Sequence, residues 1–151
     1  KGRFTKEKKI LDAGCGEGRN AVYFIQKDYP IFGIDPNELA IQYCRYLAKS
    51  LNPEFDSHRF QVGRLEEIPF HAGAFDVVIC SAVLHFAESV DNFWEMIQEI
   101  QRVLKPGGIF WFRMTTAFGR VLEQSQPLEN GKYALPDGSE RFLFLPEYVD
   151  K

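Results

Sequence analysis

Ile10-Leu11 runs into Asp12, and glycine then stands at every second position through Gly14-Cys15-Gly16-Glu17-Gly18, ahead of Arg19-Asn20. Alternating glycines let the main chain take positive φ and let a ligand approach the backbone closely. A helix opening directly after them would offer unpaired N–H groups and the positive end of its dipole. The stretch therefore predicts a strand, a tight glycine loop and a helix start. That combination suits a ligand carrying a nucleoside.

The chain then repeats the unit. From Arg19 to about Lys27 the apolar residues Ala21, Phe24 and Ile25 recur at helical spacing, and Tyr29-Pro30 ends the run. Ile31 to Asp35 reads as a second strand, apolar and then abruptly acidic. Pro36-Asn37 opens a second helix with Ala40, Tyr43, Cys44, Leu47 and Leu51 on one face. Strand and helix in alternation predict a parallel sheet with crossover helices. Asn52 to Ser57 reads as loop, Arg59 to Val62 as a short third strand, and Gly63 to Ala74 as connection. Phe75 to Cys80 is continuous, apolar and rich in β-branched residues, as a strand covered on both faces should be. A helix follows from about Val90 to Leu104, closed by Lys105-Pro106-Gly107-Gly108, and Ile109 to Met114 is a fifth strand.

From Thr115 the rhythm breaks. A helical turn is expected around Arg120 to Gln124. Lys132 to Leu135 and Glu140 to Phe144 flank Pro136-Asp137-Gly138-Ser139, which predicts a hairpin within a cap spanning about 115–145. Leu145-Pro146-Glu147-Tyr148 resembles a new helix start, with the chain ending at Lys151.

At 151 residues the expectation is one domain, 1–151, with a core that needs no staples. A net charge of −3 leaves no electrostatic footprint for nucleic acid or an anionic membrane. No apolar run approaches the roughly 20 residues of a membrane span. Cys15, Cys44 and Cys80 are widely spaced and odd in number, so neither a metal site nor a disulfide framework is indicated. Reduced thiols in a cytoplasmic protein fit that pattern.

A dinucleotide fingerprint wants a third glycine where this chain has Arg19, and Glu17 would sit badly beside a pyrophosphate. Asp35, at the end of the second strand, is placed to accept hydrogen bonds from both ribose hydroxyls. The other reading of Asp35 is a carboxylate favoured by the dipole of the helix it precedes. Pro36 beside it offers a flat apolar face to a base.

Several stretches together resemble the class I S-adenosylmethionine-dependent methyltransferases. They are Leu11 to Gly18, Gly33-Ile34-Asp35, Glu66 to Phe70, Phe75 to Val78 and Leu104 to Gly108, in the family's order over residues 8 to 114. Gly18-Arg19-Asn20 is most similar to the tellurite-resistance branch of small bacterial methyltransferases. The resemblance implies an α/β fold, a Rossmann-like, doubly wound, mostly parallel sheet of strand order 3-2-1-4-5. It implies S-adenosylmethionine as cofactor and S-adenosylhomocysteine as product.

Position by position, it implies that Asp12 and the Gly14, Cys15 and Gly16 segment surround the methionine part. Arg19 would approach the methionine carboxylate, or else stand solvated in the first helical turn. Asp35 would bind the ribose, Pro36 flank the adenine, Leu65 give backbone contact to the adenine edge, and Ser81 lie near the reactive methyl. Arg64 is a departure: the family often has aspartate there, accepting from the adenine amino group, and arginine cannot accept. Either the backbone or Glu66 would then supply the acceptor. A second departure is the C-terminal end, where the further strands of the family sheet are missing, so a truncated domain with an exposed edge is expected.

His85, after the fourth strand, is the candidate catalytic base, which methyl transfer needs only when the nucleophile must lose a proton. Alternatively it caps the next helix or packs under its loop. Asp76 is expected to be structural. The acceptor would be a small molecule held by the loops 82–90 and 115–139, with Phe86, Phe118 and Tyr133 on the rim. The competing functional class is a module that binds S-adenosylmethionine or S-adenosylhomocysteine without turnover, and a nicotinamide oxidoreductase stands third because of Arg19.

Overall fold

The computed structural model describes residues 5–149. Strand β1 (Ile10–Ala13) is buried along its whole length, although successive side chains point to opposite faces of the sheet. Both faces must therefore be covered. On one, Ile10 packs with Ile25 and Ile41; on the other, Leu11 packs with Phe93 and Ile100. Those partners come from α1 (Ala21–Gln26) and α2 (Glu38–Leu51) on the first face and α3 (Val90–Val103) on the second.

With β2 (Ile31–Asp35), β3 (Phe60–Val62), β4 (Phe75–Ser81) and β5 (Leu104–Arg113), β1 forms a five-stranded sheet in the order β3-β2-β1-β4-β5. All its pairings are parallel. This is the Rossmann-like order implied by the resemblance. The carboxyl ends of β1, β2 and β4 consequently share one edge of the sheet, where the chain leaves and re-enters as loops.

Helix α2 is capped by Asn37, whose Oδ1 accepts from the N–H groups of Leu39 at 3.0 Å and Ala40 at 3.3 Å. Ser89 caps α3 by accepting from Asn92 N–H at 3.1 Å. The α3–β5 junction differs from the sequence expectation. Leu104 already pairs with Phe75, and Lys105 to Gly108 then bulge out opposite Asp76 before Ile109 pairs with Val77. Asp76 fastens the bulge, accepting from Lys105 Nζ at 2.8 Å and from the Lys9 N–H at 3.0 Å. Both contacts draw its pKa below the ordinary carboxylate value, Lys105 foremost.

Beyond β5 come α4 (Arg120–Gln124) and a three-stranded antiparallel sheet, β6 (Gln126–Pro127), β7 (Lys132–Ala134) and β8 (Glu140–Phe142). The hairpin of β7 and β8 lies where its Pro-Asp-Gly turn predicts. Strand β6 is additional, an edge strand carrying a proline and no apolar alternation, so no periodicity announced it. Phe142 and Leu143 are fully buried, and Phe142 stacks on Phe93 with centroids 4.9 Å apart. The hairpin thus completes the α3-side core. Pro146–Tyr148 form a single helical turn; Asp150 and Lys151, the rest of the expected helix start, lie outside the described residues. No helix among the described residues is long and apolar enough to cross a membrane.

Candidate functional site

The glycine loop is curled back onto β2. Ile34 O accepts from both Gly14 N–H and Cys15 N–H at 2.9 Å, and Gly18 N–H donates to Cys15 O. Gly16 N–H donates to Asp35 Oδ2 at 2.9 Å, while Asp35 Oδ1 accepts from Asn37 N–H at 2.9 Å. Positive φ at Gly14, Gly16 and Gly18 makes this curl possible.

The helix begins at Ala21 rather than Arg19. Within the loop, the amides of Gly14, Cys15, Gly16 and Gly18 are bonded inside the protein, so those four are not available to a pyrophosphate. Asn37 is the cap of α2, and the Asp35 carboxylate joins the loop to that helix start, where the helix dipole also favours it.

A Cβ at Gly16 would meet nothing within 4 Å, so the loop crest borders open space. Two clefts meet there and share Gly14, Gly16, Ser81 and Ala82. The smaller, of about 460 Å³, is lined by Asp35, Pro36, Arg64, Leu65, Glu66 and Phe86 among others. The larger, of about 890 Å³, adds Cys15, Arg19, Asn20, Trp111 and Arg113. Ala82 holds φ +62, a left-handed conformation that costs a non-glycine residue about 1–2 kcal/mol. Its N–H donates to Arg113 O at 2.7 Å, which pins that turn at the end of β4.

Nine of the residues that the resemblance assigns to the cofactor thus line the two clefts: Gly14, Cys15, Gly16, Arg19, Asp35, Pro36, Arg64, Leu65 and Ser81. Asp12 lies beneath the loop, fully buried. Its Oδ1 accepts from Asn20 Nδ2 at 3.4 Å and its Oδ2 is a buried acceptor with no partner among the described residues. Burial pushes its pKa up to about 7, against the Asn20 hydrogen bond and with a smaller push from the Asp35 charge.

That elevation makes stability pH-dependent. The folded chain binds more protons at Asp12 than the unfolded chain between 3.8 and about 7, so this contribution is greatest at low pH and lost as pH rises through about 7. Urea unfolding of the ligand-free chain should show a loss on the order of 4 kcal/mol across that window from this group. Asp12→Asn should flatten the profile; an unchanged slope in the variant would refute the assignment.

His85 lines neither cleft. It borders a small cavity of about 230 Å³ with Ala82, Arg113, Met114 and Thr115. Its Nδ1 is buried without a partner among the described residues. Burial first, then the charges of Arg141 and Arg113, push its pKa below the ordinary histidine value, so the ring is neutral at pH 7. Since Ser89 caps α3, His85 does not.

Glu66 faces the smaller cleft, and its Oε1 accepts from Asn92 Nδ2 at 3.0 Å and Arg64 Nη2 at 3.3 Å. Burial alone would raise its pKa, but these bonds hold it below the usual carboxylate value. Asn92, Trp111 and Arg113 were not anticipated. Arg113 carried a usable signal, a charge ending an apolar parallel strand, as Asp35 does; Asn92 carried none.

The family model described as "Methyltransferase domain" matches residues 11–112. The uncharacterized methyltransferase YodH of Bacillus subtilis is 32% identical over 105 residues, covering 70% of this chain and 42% of that protein. The thiol S-methyltransferase TMT1B of Homo sapiens is 34% identical over 115 residues, covering 73% of this chain and 44% of that protein. The chain thus spans less than half the length of these curated relatives. Among solved structures, the PH0226 protein from Pyrococcus horikoshii OT3 has a TM-score of 0.75 at 24% identity, over 95% of this chain and 69% of that one. Geranyl diphosphate C-methyltransferase from Streptomyces coelicolor A3(2), solved with S-adenosyl-L-homocysteine, has a TM-score of 0.66 at 21% identity, over 76% of this chain and 41% of that one. At those identities the structural likeness shows the fold alone.

Proposed function

The chain belongs to the class I S-adenosylmethionine-dependent methyltransferases, and from that membership we propose that it binds this cofactor across the two clefts and methylates a small-molecule acceptor. The observation that carries the reading is Asp35. Its carboxylate stands at the end of β2, in a cleft with Pro36 and Leu65, and braces a loop whose glycine amides are bonded to the protein itself. Such a site recognises a nucleoside through a carboxylate and flat apolar walls. It has little to offer a pyrophosphate.

The residues present fit the cofactor. Asp12 Oδ2 is a buried acceptor awaiting a donor, and the methionine ammonium is one. Bound S-adenosylmethionine supplies an electrophilic methyl group on a sulfonium. Asp35 accepts from the ribose hydroxyls with the lone pairs left by Gly16 and Asn37. Glu66 supplies the adenine amino acceptor that Arg64 cannot, and Arg64, exposed and paired to Glu66, orients it. Arg19 answers the methionine carboxylate, and Ser81 borders both clefts where they join. In-line displacement depends mostly on holding the nucleophile in place. His85, in the side cavity that meets the larger cleft at Ala82 and Arg113, would take a proton only from an acceptor group that enters that cavity. The TMT1B relative, named a thiol S-methyltransferase, makes small thiols the first acceptors to assay.

Isothermal titration with S-adenosylhomocysteine tests the reading. The wild-type chain should bind, and Asp35→Ala should weaken binding by about tenfold or more through lost charge-assisted hydrogen bonds. No heat from the wild type, or an unaltered affinity in Asp35→Ala, would overturn it.

A further inference from the structure

Arg113 ends β5 directly beside Ser81, its register partner on β4. Its Nε donates to Ser81 Oγ at 3.3 Å, which fixes the guanidinium plane and leaves both Nη groups without a partner among the described residues. Arg141, on β8, lies over the Phe86 ring at 4.8 Å and donates through Nη1 to Glu140 O at 2.8 Å. Neither arginine forms an ion pair among the described residues. Other cations near the sheet are held by carboxylates, Lys105 by Asp76 at 2.8 Å and Arg102 by Glu99 at 2.6 Å.

Arg113 lines the cavity that His85 borders, and Arg141 lies over Phe86, whose ring packs edge-on against His85 at 4.5 Å, in a chain whose net charge is −3. Uncompensated like charge gathered at a cleft of an acidic protein raises the local concentration of anions. The cavity beside Arg113 offers a place for one. His85, Arg113, Met114 and Thr115 line it, and it shares Ala82 and Arg113 with the larger cleft. Two Nη groups in one plane match a carboxylate's two oxygens, the Thr115 hydroxyl is a further donor, and Met114 is an apolar wall for a short stem.

We propose that Arg113, supported by Arg141, is the recognition group for a carboxylate on the methyl acceptor, so that the acceptors are small carboxylic acids. The proposal rests on the methyl-transfer reading above. Arg113 acts by binding and orienting the acid; the atom that receives the methyl lies elsewhere on the acceptor.

The test uses paired probes differing only in charge, 3-mercaptopropionate with its amide and benzoate with benzamide. Methyl phosphate is added as the alternative oxyanion. Each is titrated into the full chain with and without saturating S-adenosylhomocysteine, followed by ligand-observed NMR and by the arginine Nε–H resonances. At least one carboxylate should bind about tenfold or more tighter than its amide and shift the Arg113 signal. Arg113→Gln should erase that difference while leaving amide binding within about threefold, and Arg141→Gln should reduce it. Because Arg113 is exposed, thermal melts of the variant should match the wild type. Equal binding of acids and amides, no carboxylate bound at all, retention of the preference in Arg113→Gln, or a preference for methyl phosphate alone would each overturn the proposal. Failure of S-adenosylhomocysteine to bind would instead strike the methyltransferase reading, since the acid–amide comparison is also made without it.

Discussion

Phe142→Ala should lower the free energy of unfolding by about 3–5 kcal/mol, the usual cost of emptying a buried phenylalanine site. Phe142 has no solvent exposure, stacks on Phe93 at 4.9 Å, and lies 6.1 Å, centroid to centroid, from Tyr148. Its removal strips Phe93 and Tyr148 of a shared partner, and collapse around the space is limited because Phe93 is anchored in α3. Urea denaturation followed by tryptophan fluorescence will read the change. Trp94 packs edge-on against Phe93 at 5.1 Å and Tyr148 at 5.7 Å, so it reports on this region directly. The midpoint should fall in one transition with an unchanged slope. A loss under about 1 kcal/mol would mean that the hairpin is laid over the core rather than part of it.

Gly14→Ala should cost about 2–4 kcal/mol, combining a left-handed backbone with an overpacked side chain. Gly14 has φ +79, and an added Cβ would fall 2.4 Å from Val83 Cγ2 and 3.0 Å from Cγ1. Relief requires moving Val83, which follows the left-handed Ala82 on the wall shared by the clefts. Affinity for S-adenosylhomocysteine should therefore fall along with stability. Gly16→Ala is the control: its φ of +52 carries a backbone cost of about 1–2 kcal/mol, but its Cβ meets nothing within 4 Å. Equal losses in the two variants would show that the Val83 contact is relieved without cost.

Much of this was legible beforehand where physics is local. Apolar runs ending in acids at Asp12 and Asp35 marked parallel strands delivering polar groups to one sheet edge, and β1, β2 and β4 lie there. The Pro-Asp-Gly turn placed the hairpin for a similar reason, because turn chemistry depends on adjacent residues. What escaped depends on partners distant in sequence. That the loop folds back onto β2 was not visible, because the acceptors of Gly14, Cys15 and Gly16 N–H, Ile34 O and Asp35, belong to the next strand. Leu104 looked like the end of a helix because its strand partner, Phe75, lies across the sheet. His85 was a base, a cap or a side chain packed under its loop on sequence grounds, and the hydroxyl of Ser89 at the helix start removed the cap.

The central strand is made before both of its neighbours. β1 pairs with β2 and also with β4, Ile10 opposite both Ile31 and Val77. A chain emerging from the ribosome can assemble β1, α1 and β2 early, yet one edge of β1 stays open until β4 has been synthesised. Non-local parallel pairing of this kind is slow, and an open apolar strand is prone to wrong partners meanwhile. The entropy of closing the long β1–β4 connection is thus committed before most of the core contacts repay it. Substitutions in Val77 or Val78 should therefore affect how fast and how cleanly the chain folds more than their modest size suggests.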